Sequence, residues 1–360
     1  MKTTIKDIAQ ALGISPKTVS KALNDRGEVS KSLQEKIVRT AQQMNYRPNY
    51  NAAALSRPEI RLVSIAPIAP QKYYSFVNAG LRETAAALED LHCTVEFKWY
   101  SSPNAHDEVK RLLAETLTDA DRIAGLVIAC SYETESYTAE LTTLQEKNIP
   151  VLFNTLAAPG IEPTGMVGLK TAVAGRIAAE YLASVTHMPG ERFAIFTGNR
   201  SAPVHKGCID GFLAELGTGG EIVDTYDDNR MAESLVQELF ARRSDISGIY
   251  VSSYNAVGVC SGLKSIGRAG QVTVIGHDLY PDLIDCLCDG SLTATLFQNQ
   301  MSYGRDSLRY LYEYAVGMRS RAQCVGLRMP RLILKCMAAE FPAYMNIAPN
   351  PETADAQNSA

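Results

Sequence analysis

TIKDIAQALGISPKTVSKALNDRGEVSKSLQEKIVRTAQQMNY, residues 4–46, is the stretch that decides the architecture. Thr4 to Asp7 has the acidic form of a capping box, so a helix is expected from Ile5. Ile5, Ile8, Ala9 and Leu12 fall on one face of it. Gly13 follows the last apolar position, where left-handed backbone costs glycine little. Ser15 offers an N-cap oxygen, and Pro16 takes the first helical position, where a missing N–H does no harm. The second helix should run from Pro16 to about Leu23, with Val19, Ala22 and Leu23 inward and Asn24 as a left-handed stop. Ser30 or Ser32 caps a third helix, Glu35 lying three residues after Ser32. Ile37, Val38, Ala41 and Met44 form its buried face. Two short helices about a Gly-containing turn, braced by a third, make a helix-turn-helix layout. The same spacing also suits a plain three-helix cap on a larger domain.

Charge separates these two readings. The chain has 35 Lys and Arg against 39 Asp and Glu; residues 1–61 hold eleven and five of them, which leaves 24 and 34 for the rest. A head of net +6 on a body of net −10 is the electrostatic footprint expected of a polyanion-binding end.

The motifs Thr4–Ala9, Gly13–Asn24, Val29–Ser30 and Asn45–Asn49 resemble the headpiece of the lactose-repressor/purine-repressor family of bacterial transcriptional regulators. The resemblance is dense over residues 4–49 and weaker over 61–340. It implies a second helix that reads bases from Pro16, Lys17 and Lys21. Lys17 and Lys21 can donate to guanine O6 and N7. Pro16 departs from the pattern, since it has no side-chain donor and offers only apolar contact or shape. Ser15, Thr18, Ser20, Asn24 and Asn49 are expected on the DNA, the polar ones as phosphate contacts that position without specifying sequence. Residues 48–60 form the linker, which the resemblance identifies as a hinge helix that orders on DNA, with Leu55 as a wedge between minor-groove base steps. The bland alternative is a tether with Leu55 packed on the body. Asn51, Ala53 and Ser56 make this hinge less basic than the family's.

From Arg61 the pattern becomes an alternation of short apolar runs and helical stretches. Strands are expected at 62–67, 93–100, 125–130, 151–154, 193–197, 222–226, 248–251 and 272–276. Helices are expected between them, one of them from Gly168 to Ser184. Alternating β and α elements imply parallel sheets with helices on both faces. Ten or so units exceed one compact domain, so two lobes are expected. The fold class is thus an all-α helix-turn-helix headpiece plus an α/β, doubly wound, two-lobed sensor domain. The resemblance likens that domain to bacterial sugar-binding proteins, with three crossings between lobes near 158–165, 288–292 and 322–326. The N-lobe is then 61–160 plus 291–323 and the C-lobe 161–290 plus 324–340. Residues 341–360, with Pro349 and Pro351 and no leucine heptads, read as a partly disordered tail.

Ligands of such sheets sit beyond the carboxyl ends of the strands. The positions to inspect there are Tyr73, Tyr74, Ser131, Tyr132, Asn154, His205, Lys206, Asn255, Asp278 and Gln298. Carboxylates and amides suit vicinal hydroxyls, and aromatic faces suit the apolar side of a sugar ring. Asp278 and Gln298 match family positions that commonly line the pocket. The family's arginine, three residues before the Gly-Phe at 211–212, is here Cys208, with His205 and Lys206 as the nearest basic substitutes. Trp99, mid-strand, reads as core.

Composition excludes several classes. With 46% apolar and 21% charged residues the chain is an ordinary globular one. It has no run of 18 apolar residues and no apolar leader, so it is expected in the cytoplasm with the nucleoid, not at a membrane. The eight scattered cysteines include no Cys-x-x-Cys, so reduced thiols and no metal are expected. Nucleophile-elbow, phosphate-loop and His-Glu-x-x-His motifs are absent, which argues against an enzyme, and no cofactor is expected. A solute-binding sensor with a non-transcriptional role would fit the body but not the head. The expectation is a ligand-responsive, sequence-specific DNA-binding regulator, a repressor of carbohydrate-metabolism genes. It would act as a homodimer on a pseudo-palindromic operator, under a sugar-like effector.

Overall fold

A computed structural model describes residues 3–23, 29–44, 46, 57–69, 71–189, 192–200, 202–217, 221–224 and 228–338. Asn24, Asn49, Leu55 and the tail from 341 lie outside these residues.

In the head, α1 (Ile5–Leu12), α2 (Pro16–Leu23) and α3 (Lys31–Gln43) follow the local signals. The Thr4 N–H donates to the Asp7 carboxylate at 2.7 Å, and the Asp7 N–H reaches Thr4 Oγ1 at 3.4 Å, closing the capping box. Gly13 adopts φ +65° and its N–H caps the Ala9 and Gln10 carbonyls. The Thr18 N–H donates to Ser15 Oγ at 3.0 Å. Ile8, Ala9, Val19, Ala22, Ile37 and Ala41 are the buried core, with Leu23 and Met44 packed against it. Each large side chain removed from water there contributes about 1.5–3 kcal/mol. Of the two cap candidates for α3, Ser30 holds the N-cap position, though its side chain makes no capping bond; the helix begins at Lys31, so the Ser32–Glu35 pair lies inside it. Val38 is 37% exposed, because one residue beyond Ile37 turns about 100° away from the core.

The body holds two six-stranded sheets. The first has the order β11-β5-β4-β3-β1-β2, from β1 (Ile60–Pro67), β2 (Cys93–Tyr100), β3 (Gly125–Ile128), β4 (Val151–Asn154), β5 (Gly165–Leu169) and β11 (Val325–Arg328). The second has the order β12-β10-β9-β8-β6-β7, from β6 (Phe193–Thr197), β7 (Glu221–Asp224), β8 (Gly248–Val251), β9 (Thr273–His277), β10 (Ala294–Phe297) and β12 (Arg331–Leu334). β10 and β12 pair antiparallel; β3 with β4 and β8 with β9, in the two centres, pair parallel. The central strands are buried on both faces, which is why β3, β4, β6 and β8 read as continuous apolar runs.

Glycine lets one helix pair in each lobe meet backbone to backbone. Between α7 (Thr171–Thr186) and α8 (Pro203–Leu216), a Cβ on Gly175 would lie 2.0 Å from the Cys208 carbonyl oxygen, and one on Gly211 2.1 Å from that of Ala172. Between α4 (Gln71–Glu89) and α12 (Gln300–Ala315), Gly80 and Gly304 meet Met301 and Val77 in the same way. These contacts set each cleft-bearing helix close against its neighbour.

The strand β5 replaces the start of the helix expected from Gly168. Gly-Met-Val-Gly-Leu carries two glycines and no long apolar run, and it becomes a strand by pairing β4 and the sequence-distant β11. As a result the chain passes between sheets at 169–171, 297–300 and 328–331, not near 158–165, 288–292 and 322–326. At each passage one more strand belongs to the sheet being left. Trp99 is half-buried rather than core: it stacks on Phe97 at 5.3 Å beneath the Arg82 guanidinium.

Candidate functional site

Two surfaces carry candidate chemistry, one on each part of the chain. On the head, Lys17 and Lys21 are four residues apart on α2 and so share a face. Ser15, Pro16 and Lys17 are exposed, while Thr18, Ser20 and Lys21 are half-buried. The capping bond at Ser15 also ties its hydroxyl to that of Thr18 at 2.8 Å, which fixes the start of the helix.

In the body a cleft of about 700 Å³, partly open to solvent, lies beyond the strand ends between the two sheets. Lobe 1 supplies Tyr73 and Tyr74 from α4, Tyr132 from the loop after β3, and Thr155 and Leu156 after β4. Lobe 2 supplies His205 and Cys208 from α8, Ser252, Ser253 and Tyr254 after β8, and His277 and Asp278 at the end of β9. Gln298 follows β10.

Asp278 anchors the floor. Its backbone is left-handed (φ +72°), its N–H donates to the Leu296 carbonyl at 3.0 Å, and its carbonyl accepts from Thr295 Oγ1 at 2.7 Å. Its Oδ1 accepts from Gln298 Nε2 at 2.6 Å and from Gln300 Nε2 at 2.5 Å, and its Oδ2 from the Tyr280 hydroxyl at 2.9 Å. Burial pushes this carboxyl up to about 6, against the lowering effect of the Gln298 and Tyr280 bonds. A carboxylate has about four lone-pair sites, so one remains for a ligand hydroxyl after these three donors.

The neighbouring groups are held neutral. Burial, and then the nearby His205, lowers the His277 imidazole to about 3, and its Nε2 lies 2.7 Å from the Tyr250 hydroxyl. Burial raises the Cys208 thiol to about 12. Tyr73 and Tyr74 meet edge to face at 5.0 Å. The described lining contains no Lys or Arg. The cleft can therefore accept and donate hydrogen bonds to hydroxyls and cover an apolar face, with His205 and the neutral His277 as its only basic side chains among the described lining residues.

Six of the ten positions singled out from the sequence, Tyr73, Tyr74, Tyr132, His205, Asp278 and Gln298, line this cleft. Four do not. Ser131 is buried and its N–H and hydroxyl bond the Tyr137 hydroxyl at 2.8 and 3.0 Å, so Tyr132 reaches the cleft instead. Asn154 turns to α12, donating to the Tyr303 carbonyl at 3.1 Å and Ser307 Oγ at 2.6 Å. Thr155, left-handed at φ +67°, lines the cleft in its place. Lys206 points outward on α8 and pairs with Asp210 at 2.5 Å. Asn255 is wholly buried at the start of α10 (Ala256–Ser265). Cys208, Ser252, Ser253 and His277 carried no motif; only the departure from the family's arginine pointed at Cys208.

One side of the cleft is bridged. Phe76 of α4 is 6% exposed and packs into the lobe 2 core, its ring 5.9 Å from that of Tyr280. Lys72 pairs nearby with Asp282 of α11 (Pro281–Asp289). That pair is a third to a half exposed and contributes about 0–1 kcal/mol, so the apolar contact dominates. Tyr280 touches both Phe76 and Asp278 and so joins the cleft floor to the lobe–lobe contact.

Comparison with known proteins now bears on both surfaces. The family described as "Periplasmic binding protein domain" matches residues 63–318. The family described as "Bacterial regulatory proteins, lacI family" matches residues 4–49. The body belongs to the periplasmic-binding-protein family, and the head is a lacI-family regulatory domain. The chain is similar to the HTH-type transcriptional regulator DegA of Bacillus subtilis, 26% identical over 225 residues, which are 62% of this chain and 64% of that protein. It is similar to the ribose operon repressor of the same organism, 26% identical over 291 residues, 77% and 82% of the two chains. A solute-binding protein of Burkholderia graminis in complex with D-arabinose superposes with a TM-score of 0.70 at 18% identity, covering 81% of this chain and 100% of that one, which establishes the two-lobed fold of the body.

Proposed function

We propose that this chain is a ligand-controlled repressor of carbohydrate-metabolism genes. It binds double-stranded operator DNA through α2 and senses an uncharged polyhydroxyl effector in the cleft. The observation that carries this reading is the presence, in one chain, of a lacI-type head and a periplasmic-binding-protein body whose cleft floor is Asp278 and Gln298. Relatives named for a ribose operon and a solved relative holding D-arabinose support the sugar class. Two heads on a pseudo-palindromic site require a homodimer. Residues 48–60 serve as the hinge, with Leu55 in the minor groove. A regulatory role needs no catalytic group, and the cleft lining, with a carboxylate held by three donors and a neutral imidazole, is suited to binding rather than turnover. No helix among the described residues is long and apolar enough to cross a membrane.

A thermal-shift screen of the full chain against neutral sugars, polyols and their phosphates tests the effector class. Neutral compounds are expected to raise the melting temperature, since a ligand at a hundred times its Kd adds about 2.7 kcal/mol to stability. Sugar phosphates should give a smaller shift, since no Lys or Arg is among the described residues that line the cleft. A shift with phosphates alone would overturn the class.

A further inference from the structure

The cleft shares part of its wall with a neighbouring hollow. This hollow, of about 980 Å³ and open to solvent, adjoins it, and Thr155, Leu156, Leu169, Thr171 and Val204 line both. Beyond those shared residues the wall is aliphatic: Ala157, Met166, Val173, Pro203 and Leu327 face it, with Lys170 as its one charged side chain among the described residues. Among the described residues its lining has no aromatic ring, and the hydroxyls there are the two it shares with the cleft. A second sugar ring would want amide or carboxylate partners and a flat aromatic face, none of which is present. An apolar group wants only contact area, which this wall supplies. Leu327, 37% exposed on an edge strand, would be covered by such a group.

We propose that the effector is a glycoside, with its sugar ring in the cleft and its apolar aglycone in this adjoining hollow. The inference rests on the reading of the cleft as a polyol site, and commits to one ligand crossing both compartments. The polar cleft fixes the ring, and the hollow sets which substituent on the ring is preferred.

Calorimetry of the full chain with matched pairs tests this: D-glucose, D-galactose, D-mannose and D-xylose, each against its α- and β-phenyl glycoside. At least one phenyl glycoside should bind ten-fold or more tightly than its parent sugar. Ala172→Trp, which fills the hollow, and Leu327→Asp, which charges it, should each remove that gain and leave the Kd of the parent sugar within two-fold. Retained sugar binding shows that the variants are folded, and two variants guard against either one misfolding. Parent sugars that bind as tightly as their glycosides, or a gain that survives both variants, would overturn the aglycone site alone. Binding of neither series would overturn the polyol reading and the aglycone site together.

Discussion

Asp278→Ala is expected to cost roughly 3–5 kcal/mol of stability and to abolish the thermal shift given by effectors. The substitution strands two buried amide donors, from Gln298 and Gln300, and the buried Tyr280 hydroxyl. Each unsatisfied buried donor costs about 1–3 kcal/mol, and partial repair among the three offsets some of the sum. Alanine also holds φ +72° less readily than aspartate, whose short polar side chain tolerates left-handed backbone. Loss of Tyr280's partner loosens its ring against Phe76, so the lobe–lobe contact weakens with the floor. Denaturant unfolding measures the cost, and a change below about 1 kcal/mol would mean the network carries little of the stability.

The conservative variant Asp278→Asn separates charge from geometry. Asparagine accepts from both glutamines through its oxygen, donates to the Tyr280 oxygen, and tolerates the left-handed backbone. In the folded chain the Asp278 carboxyl titrates at about 6, above its ordinary 3.8, because burial favours the neutral form. The folded state therefore holds the proton more tightly than the unfolded one. The resulting stability is fully present below about pH 4 and is lost as the pH rises to about 6, roughly 3 kcal/mol in all for a displacement of about two units. Asp278→Asn should remove that decline, measured as the difference between the two proteins' unfolding free energies from pH 4 to 6.5. Parallel curves would place the titration elsewhere.

The second large effect concerns DNA. Replacing Lys17 and Lys21 together by alanine should weaken operator affinity by a hundred-fold or more, since a base-edge contact is worth about 1–3 kcal/mol. Neither side chain belongs to the head's buried core, so the unfolding of the head should be unchanged. Affinity for random-sequence DNA should fall less, because base readout rather than phosphate contact is removed. The comparison uses an operator recovered by selection from random fragments. Equal affinity of the double variant and the parent would mean that α2 is not the reading helix.

The head was legible because its signals are local. Capping at Thr4, the left-handed Gly13 and the Ser15–Pro16 start each act within four residues. The local misreadings among the described residues, the Ser32–Glu35 cap and Val38, came from placing the start of α3 two residues late and extending its apolar face by one. In the body, strands with long apolar runs declared themselves, whereas β5, β10, β11 and β12 did not. Each is four or five residues long, and the pairing of β5 with β11 joins positions about 160 residues apart, which no periodicity encodes. The cleft was half legible for a related reason. Strand ends gave the right neighbourhood, but whether a residue faces the cleft depends on its backbone angle. Thr155 and Asp278 are turned by positive φ, while Asn154 and Ser131 are turned inward to partners on α12 and at Tyr137.

The central claim is the coupling between cleft and head. It is tested most directly by titrating the selected operator with the full chain at several salt concentrations, with and without a saturating compound identified by the thermal-shift screen. The account predicts an affinity that falls linearly with the logarithm of salt, from phosphate contacts, and that changes about five-fold or more with the compound present. An affinity that the bound compound leaves unaltered, or the absence of any protected DNA in low salt, would contradict it.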